Sequence, residues 1–170
     1  GLTAVFFPPA ALAAPNYRLD PTHTTIHWEV VHMGTSTARG RFERIKGQVS
    51  FEPGQSLAVR IDVETASVST GIAAFDAVLK RSSLLDVATH PVARFESDRI
   101  EWRSDGLSPA KVHGRLTIKG REHPLTLETE RWHCGNNPLF GREVCGGDWV
   151  ARLSREAIGM GMAASMVEDQ

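Results

Sequence analysis

Along most of this chain apolar and polar residues alternate with a period of two. In the stretch from Leu57 to Glu64, Leu57, Val59, Ile61 and Val63 point one way and Arg60, Asp62 and Glu64 the other, a strand with one dry and one wet face. From Thr24 to Met33, Ile26, Trp28 and Val30 share a face, and His27, Glu29 and Val31 share the opposite one. The run from Arg39 to Glu52 reads as one long strand with Ile45, Val49 and Phe51 on one side. Its internal Gly40 and Gly47 mark bulges or sharp curvature. Further strands are predicted over 92–103, over 111–119 with Val112, Gly114, Leu116 and Ile118 inward, over 124–132 with Leu125 and Leu127 inward, and over 148–154. Turn signals at 52–55, Asp105-Gly106 and Gly120-Arg121 separate them.

The rhythm stops once, between Ser67 and Ser97. Ala73 to Leu79 and Leu84 to Val87 are short apolar stretches of helix-forming residues without alternation, and Pro91 restarts extended chain. A β protein that breaks for one helical excursion uses it to cover an open end of its sheet. About seven strands at hairpin spacing, with no strand–helix–strand alternation, predict an all-β fold. We expect an antiparallel up-and-down β-barrel with a short helical insert covering one end; a β-sandwich is the alternative. A barrel of about eight strands holds one small ligand.

Composition narrows the function. The 170 residues carry 19 basic and 20 acidic side chains, with no basic surplus for nucleic acid. Residues 1–13 are apolar and uncharged, and Ala11-Leu12-Ala13 fits a small-x-small cleavage pattern. They read as the remnant of a secretory signal, which leaves 14–170 as one domain in the periplasm. No stretch is long enough to span a bilayer. Cys134 and Cys145 flank the turn-rich segment 135–144, and in an exported chain they are expected to form a disulfide closing a short loop. No metal is expected, because His133 alone does not complete a site with these cysteines.

The seven histidines include no H-x-H pair and no HExxH. His23 and His32 are expected to bond backbone at a barrel end. The chain has no G-x-S-x-G, and the nearest hydrolase constellation is Ser82-Ser83 beside Asp86 and His90. A periplasmic hydrolase of a lipid ester or amide, using Asp76, His90 or Ser83, therefore stands as an alternative, as does a ligand-free stress-response module.

The chain also resembles the YceI-like, lipocalin-like polyisoprenoid-binding proteins of bacteria. The resemblance rests on the run from Tyr17 to Thr24, on His32-Met33-Gly34-Thr35-Ser36 and Gly40-Arg41-Phe42, and on Ser67-Val68-Ser69-Thr70-Gly71. It continues through Asp76 and Leu79, Leu84-Leu85-Asp86, His90-Pro91, Phe95-Glu96-Ser97, the run 114–120 and the run 154–160. It implies a barrel whose tunnel holds a long isoprenoid, such as a quinone tail or polyprenyl phosphate, with no cofactor and no bond broken. The expected lining is Phe42, Ile45 and Val49 on one run, Val59, Ile61 and Val63 on the next, then Phe95, Val112, Leu116, Leu125 and Leu127. Phe75, Leu79, Leu84 and Leu85 would close one end, and Met160 and Met162 would add adaptable surface. Asp76 and Arg155 are candidate head-group contacts.

There are departures from the family pattern. Val78 stands where the family has a histidine, Leu84-Leu85 where it has paired phenylalanines, and Ile158 where it has a phenylalanine. The family's final strand would begin near Val167, where this sequence stops. The sequence reads as cut at both ends; the gap could otherwise be filled by the N-terminal segment or by a second chain in a homodimer.

Overall fold

The computed structural model describes residues 15–160. The alternating runs become antiparallel strands in two sheets. The larger sheet has seven strands in the order β1 (Asn16–Arg18), β4 (Ile45–Glu52), β5 (Ser56–Glu64), β7 (Val92–Trp102), β8 (Pro109–Ile118), β9 (Arg121–Asn137) and β10 (Arg142–Val150). The smaller sheet pairs β2 (Ile26–His32) with β3 (Ser36–Phe42), and β3 with β6 (Val68–Ser69). The larger sheet curls into a half-barrel. Its edge strands approach each other where the Tyr17 hydroxyl of β1 donates to Glu143 Oε1 of β10 at 2.7 Å.

Three readings of the sequence need correction. The run 39–52 is two strands in different sheets, broken at Glu43–Arg44. Ser67 makes the corner: its carbonyl accepts from the Glu43 N–H at 3.1 Å, and its hydroxyl accepts from the Arg44 N–H at 3.0 Å. The Arg44 bond spans 23 residues of chain and the Glu43 bond one more, so periodicity carried no sign of them.

The segment between the cysteines is a hairpin rather than a loop. β9 and β10 stay paired in register from Arg142↔Asn137, with Cys145 directly opposite Cys134. Turn-favouring glycines and asparagines had concealed the ladder, and the strand read at 148–154 ends at Val150.

The insert holds one helix, α1 (Ala73–Leu79). Residues 84–87 lie in a run of turns, where the Asp86 and His90 N–H groups bond the Arg81 and Asp86 carbonyls. Asp86 takes a positive φ of 49°, which a helix does not accommodate.

Aromatic rings lie over glycines on the concave side. At Gly114 a Cβ would collide with the Glu96 carbonyl and the Phe95 ring; at Gly40 it would meet the Trp28 ring. The absent side chains let the sheets bend inward under those rings. Curvature is helped by a bulge in β7 between Ser97 and Arg99, where the Ser97 hydroxyl accepts the Val59 N–H at 2.8 Å.

Candidate functional site

The inward face of the curled sheet is the candidate site. The ladders place Ile45 opposite Val63, Val49 opposite Val59, and Ile61 opposite Phe95. Phe95 in turn opposes Leu116, Gly114 opposes Leu125, and Val112 opposes Leu127. Because facing residues of an antiparallel pair share a side, the alternation inferred for each strand becomes one continuous apolar surface.

Burial along that surface is uneven. Ile45, Val63, Phe95 and Val112 are buried. Phe42, Val49, Val59, Ile61, Leu116, Leu125 and Leu127 are only half-buried. Aliphatic residues that face the interior of a sheet yet keep contact with solvent leave part of that inward face, the trough, uncovered.

The lining divides into two clusters. At the insert end, Ile45, Val63, Val68, Leu85, Ala93, Ile118 and Ile158 pack together, with Leu79, Leu116 and Met160 against them. At the opposite end, Phe51, Leu57, Phe95 and Val112 gather Val49, Val59, Leu125, Leu127, Trp132 and the two cysteines. Ile61 packs against both. The disulfide joins Cys134 to Cys145 with an S–S distance of 2.06 Å. Beside it a cleft of about 230 Å³ is lined by Phe51, Pro53, Leu107, Ser108, Trp132, His133 and Cys134. A cleft of about 270 Å³ elsewhere is bordered by polar residues and glycines, His27, Arg39, Gly40, Arg41, Ser69, Thr70 and Gly71.

The insert is fastened at its base by the buried Thr65. Thr65 donates its hydroxyl to the His90 carbonyl at 2.8 Å and its N–H to that of Pro91 at 2.9 Å. The Lys119 ammonium donates to the Gly159 carbonyl at 3.0 Å, tying the β8–β9 turn to the tail. Leu79 and Leu85 point into the insert-end cluster. Phe75 and Leu84 are half-buried and belong to neither cluster. Met162 lies outside the described residues, as do residues 1–14 and the expected final strand.

Asp76 serves the insert itself. Its Oδ1 accepts both the Thr70 hydroxyl and the Thr70 N–H at 2.7 Å. The hydroxyl first, the N–H next and the Lys80 charge last hold the carboxyl below its ordinary range. Arg155 is half-buried beyond β10. Among the hydrolase candidates, His90 Nε2 lies 3.9 Å from Asp86 Oδ2, and no hydrogen bond joins Ser83 to His90 or Asp76 among the described residues. His23 bonds a side chain, Asp20 Oδ2 at 2.7 Å, rather than the backbone expected for it. No cluster of three metal-ligating side chains occurs among the described residues. No helix among them is long and apolar enough to cross a membrane.

Sequence reasoning passed over His123. It opposes Leu116 on β9 and so faces the trough, but Glu122 and Pro124 on either side hide the alternation there.

Comparison with known proteins is consistent with this architecture. The model of the YceI-like domain matches residues 17–170. A UPF0312 protein of Yersinia pestis is 34% identical over 144 residues, covering 82% of this chain and 73% of the relative. One from Vibrio cholerae is 29% identical over 148 residues, covering 85% and 77%. Among solved structures, Burkholderia cenocepacia BcnA superposes with a TM-score of 0.71 at 23% identity, over 88% of this chain and 92% of that one. A polyisoprenoid binding domain from Saccharophagus degradans gives 0.52 at 14% identity, over 90% and 83%.

Proposed function

Since this chain belongs to the YceI-like family, we propose that it binds a long-chain isoprenoid lipid along the inward face of its curled sheet and breaks no bond in it. The observation that carries the reading is the row of inward aliphatic side chains left half-buried: Val49, Val59, Ile61, Leu116, Leu125 and Leu127. A flexible hydrocarbon chain laid over them removes apolar surface from water on both partners. Each buried CH₂ contributes about 0.8 kcal/mol, so several isoprene units hold without a covalent link. The name of the Saccharophagus degradans domain supports an isoprenoid as the class of guest.

The chain enters at the disulfide end, where the cleft lined by Phe51, Leu107 and Trp132 adjoins the trough. Storage, shielding or transfer are the outcomes open to such a protein, and it needs no cofactor. The disulfide suits an oxidising compartment, and we assign the protein to the periplasm. A hydrolytic role is disfavoured by the bonds that Asp76 makes to Thr70, which leave it serving the fold.

The test is organic extraction of the full chain purified from a periplasm, followed by mass spectrometry, together with titration by a polyprenol in vitro. A co-purifying isoprenoid or saturable binding of the polyprenol is expected. An empty extract combined with no binding would overturn the reading.

A further inference from the structure

The trough is not uniformly apolar. The Trp28 indole Nε1 and the His123 Nε2 are both buried from solvent and neither has a hydrogen-bond partner. Both belong to the inward face. Trp28 packs against the insert-end cluster, and His123 stands directly opposite Leu116, which packs against that same cluster. On the outward face of β8, His113 is different: its Nδ1 meets the Thr126 hydroxyl at 2.9 Å and its Nε2 approaches Glu101 Oε2 at 3.1 Å. Thr129 Oγ1 is also buried without a partner, six residues along β9 from His123. At about 3.3 Å per residue it lies roughly 20 Å away, out of reach of a small polar group at the insert end.

A buried polar atom without a partner is costly, and native proteins leave few of them. An indole N–H only donates, so whatever satisfies Trp28 must bring an acceptor. An imidazole Nε2 donates or accepts according to tautomer, so a hydroxyl or carbonyl oxygen suits both. The inward positions of β4, β5, β7 and β8 carry no lysine or arginine, which an anionic head would need beside it; Arg121, opposite Ile118 on β9, is exposed at the strand's end.

Resting on the lipid-binding reading above, we propose that Trp28 and His123 form a polar site at the insert end of the trough that receives an uncharged, oxygen-bearing group of the guest, a hydroxyl or a carbonyl. The guest is then oriented with that group at the insert and its hydrocarbon running toward the disulfide end. The protein selects against pure hydrocarbons and against phosphorylated heads at this position.

The test compares three probes on the full chain: solanesol, its matching hydrocarbon solanesene, and solanesyl phosphate. Solanesol is expected to bind about tenfold tighter than solanesene, the factor that one or two neutral hydrogen bonds give. Trp28→Phe and His123→Phe should each weaken solanesol binding several-fold and leave solanesene unchanged. In the unaltered protein, the Trp28 indole N–H and His123 imidazole nitrogen signals should shift with solanesol and stay in place with solanesene. That measurement decides the matter if either variant fails to fold. Equal affinities for solanesol and solanesene, or nitrogen signals indifferent to the hydroxyl, would overturn the polar site while leaving lipid binding intact. Tightest binding of the phosphate, unaffected by either substitution, would overturn it as well. Failure of all three probes to bind would remove the lipid-binding reading and this one with it.

Discussion

The two ends of the trough are built on different physical terms. The insert end is a cluster of aliphatic side chains drawn from distant parts of the chain, with Leu85 from the insert and Ile158 from the tail both buried in it. Branched aliphatic groups interlock there, with the Trp28 ring packed against them. The disulfide end is aromatic. Phe51 meets Trp132 edge to face at 5.1 Å, Trp132 meets Trp149 at 5.8 Å, and Phe51 and Trp102 stand 6.3 Å apart. Large rigid rings at such angles line a space without closing it, and the cleft beside Cys134 is the result. One end is closed by packing; the other is stiffened by rings and a covalent bond, which suits it to admit a guest.

The sharpest way to break this contrast is through Phe95, buried in the central strand β7 and part of the aromatic end. Phe95→Ala should lower stability by about 3–5 kcal/mol through lost transfer energy and the cavity left behind. Because Ile61 packs against both clusters, denaturant unfolding followed by Trp fluorescence and by circular dichroism should stay one coincident transition. Separate transitions would mean that the two ends fold independently.

A smaller effect is expected from the disulfide. It closes a short span, with a sequence separation of 11 residues. Replacing Cys134 and Cys145 by serine should cost about 2–3 kcal/mol. Hydrogen exchange should quicken in β9 and β10 around residues 132–147 and stay unchanged in the insert. Faster exchange spread evenly over the protein would show that the bond does more than hold its own hairpin.

The mildest expectation concerns the insert, and it appears only in acid. The Asp76 carboxyl is held below its ordinary range in the folded protein, chiefly by the Thr70 hydroxyl. A lowered folded-state pKa contributes stability that is complete above the unfolded value, near pH 4, and disappears as pH falls further. Exchange of the insert amides should therefore rise below pH 4 in the parent protein. Asp76→Asn should raise it at neutral pH and flatten the acid dependence. An insert indifferent to both changes would mean that Thr65 and Lys119, rather than Asp76, hold it in place.

The sequence alone determined which side chains face inward. Period-two alternation in β4, β5, β8 and the middle of β9 sorts Ile45, Val59, Val112 and Leu125 to one side, because a strand has no other way to place successive side chains. It also located the helical break, since seven residues without alternation cannot be a half-buried strand. Only the tertiary structure decided the rest. The corner at Glu43–Arg44 depends on Ser67, and the expected bond between Cys134 and Cys145 turned out to close a paired hairpin whose glycines and asparagines read as loop. The unpartnered Trp28 and His123 nitrogens sit on strands of separate sheets, and no local pattern encodes which partners a folded chain withholds.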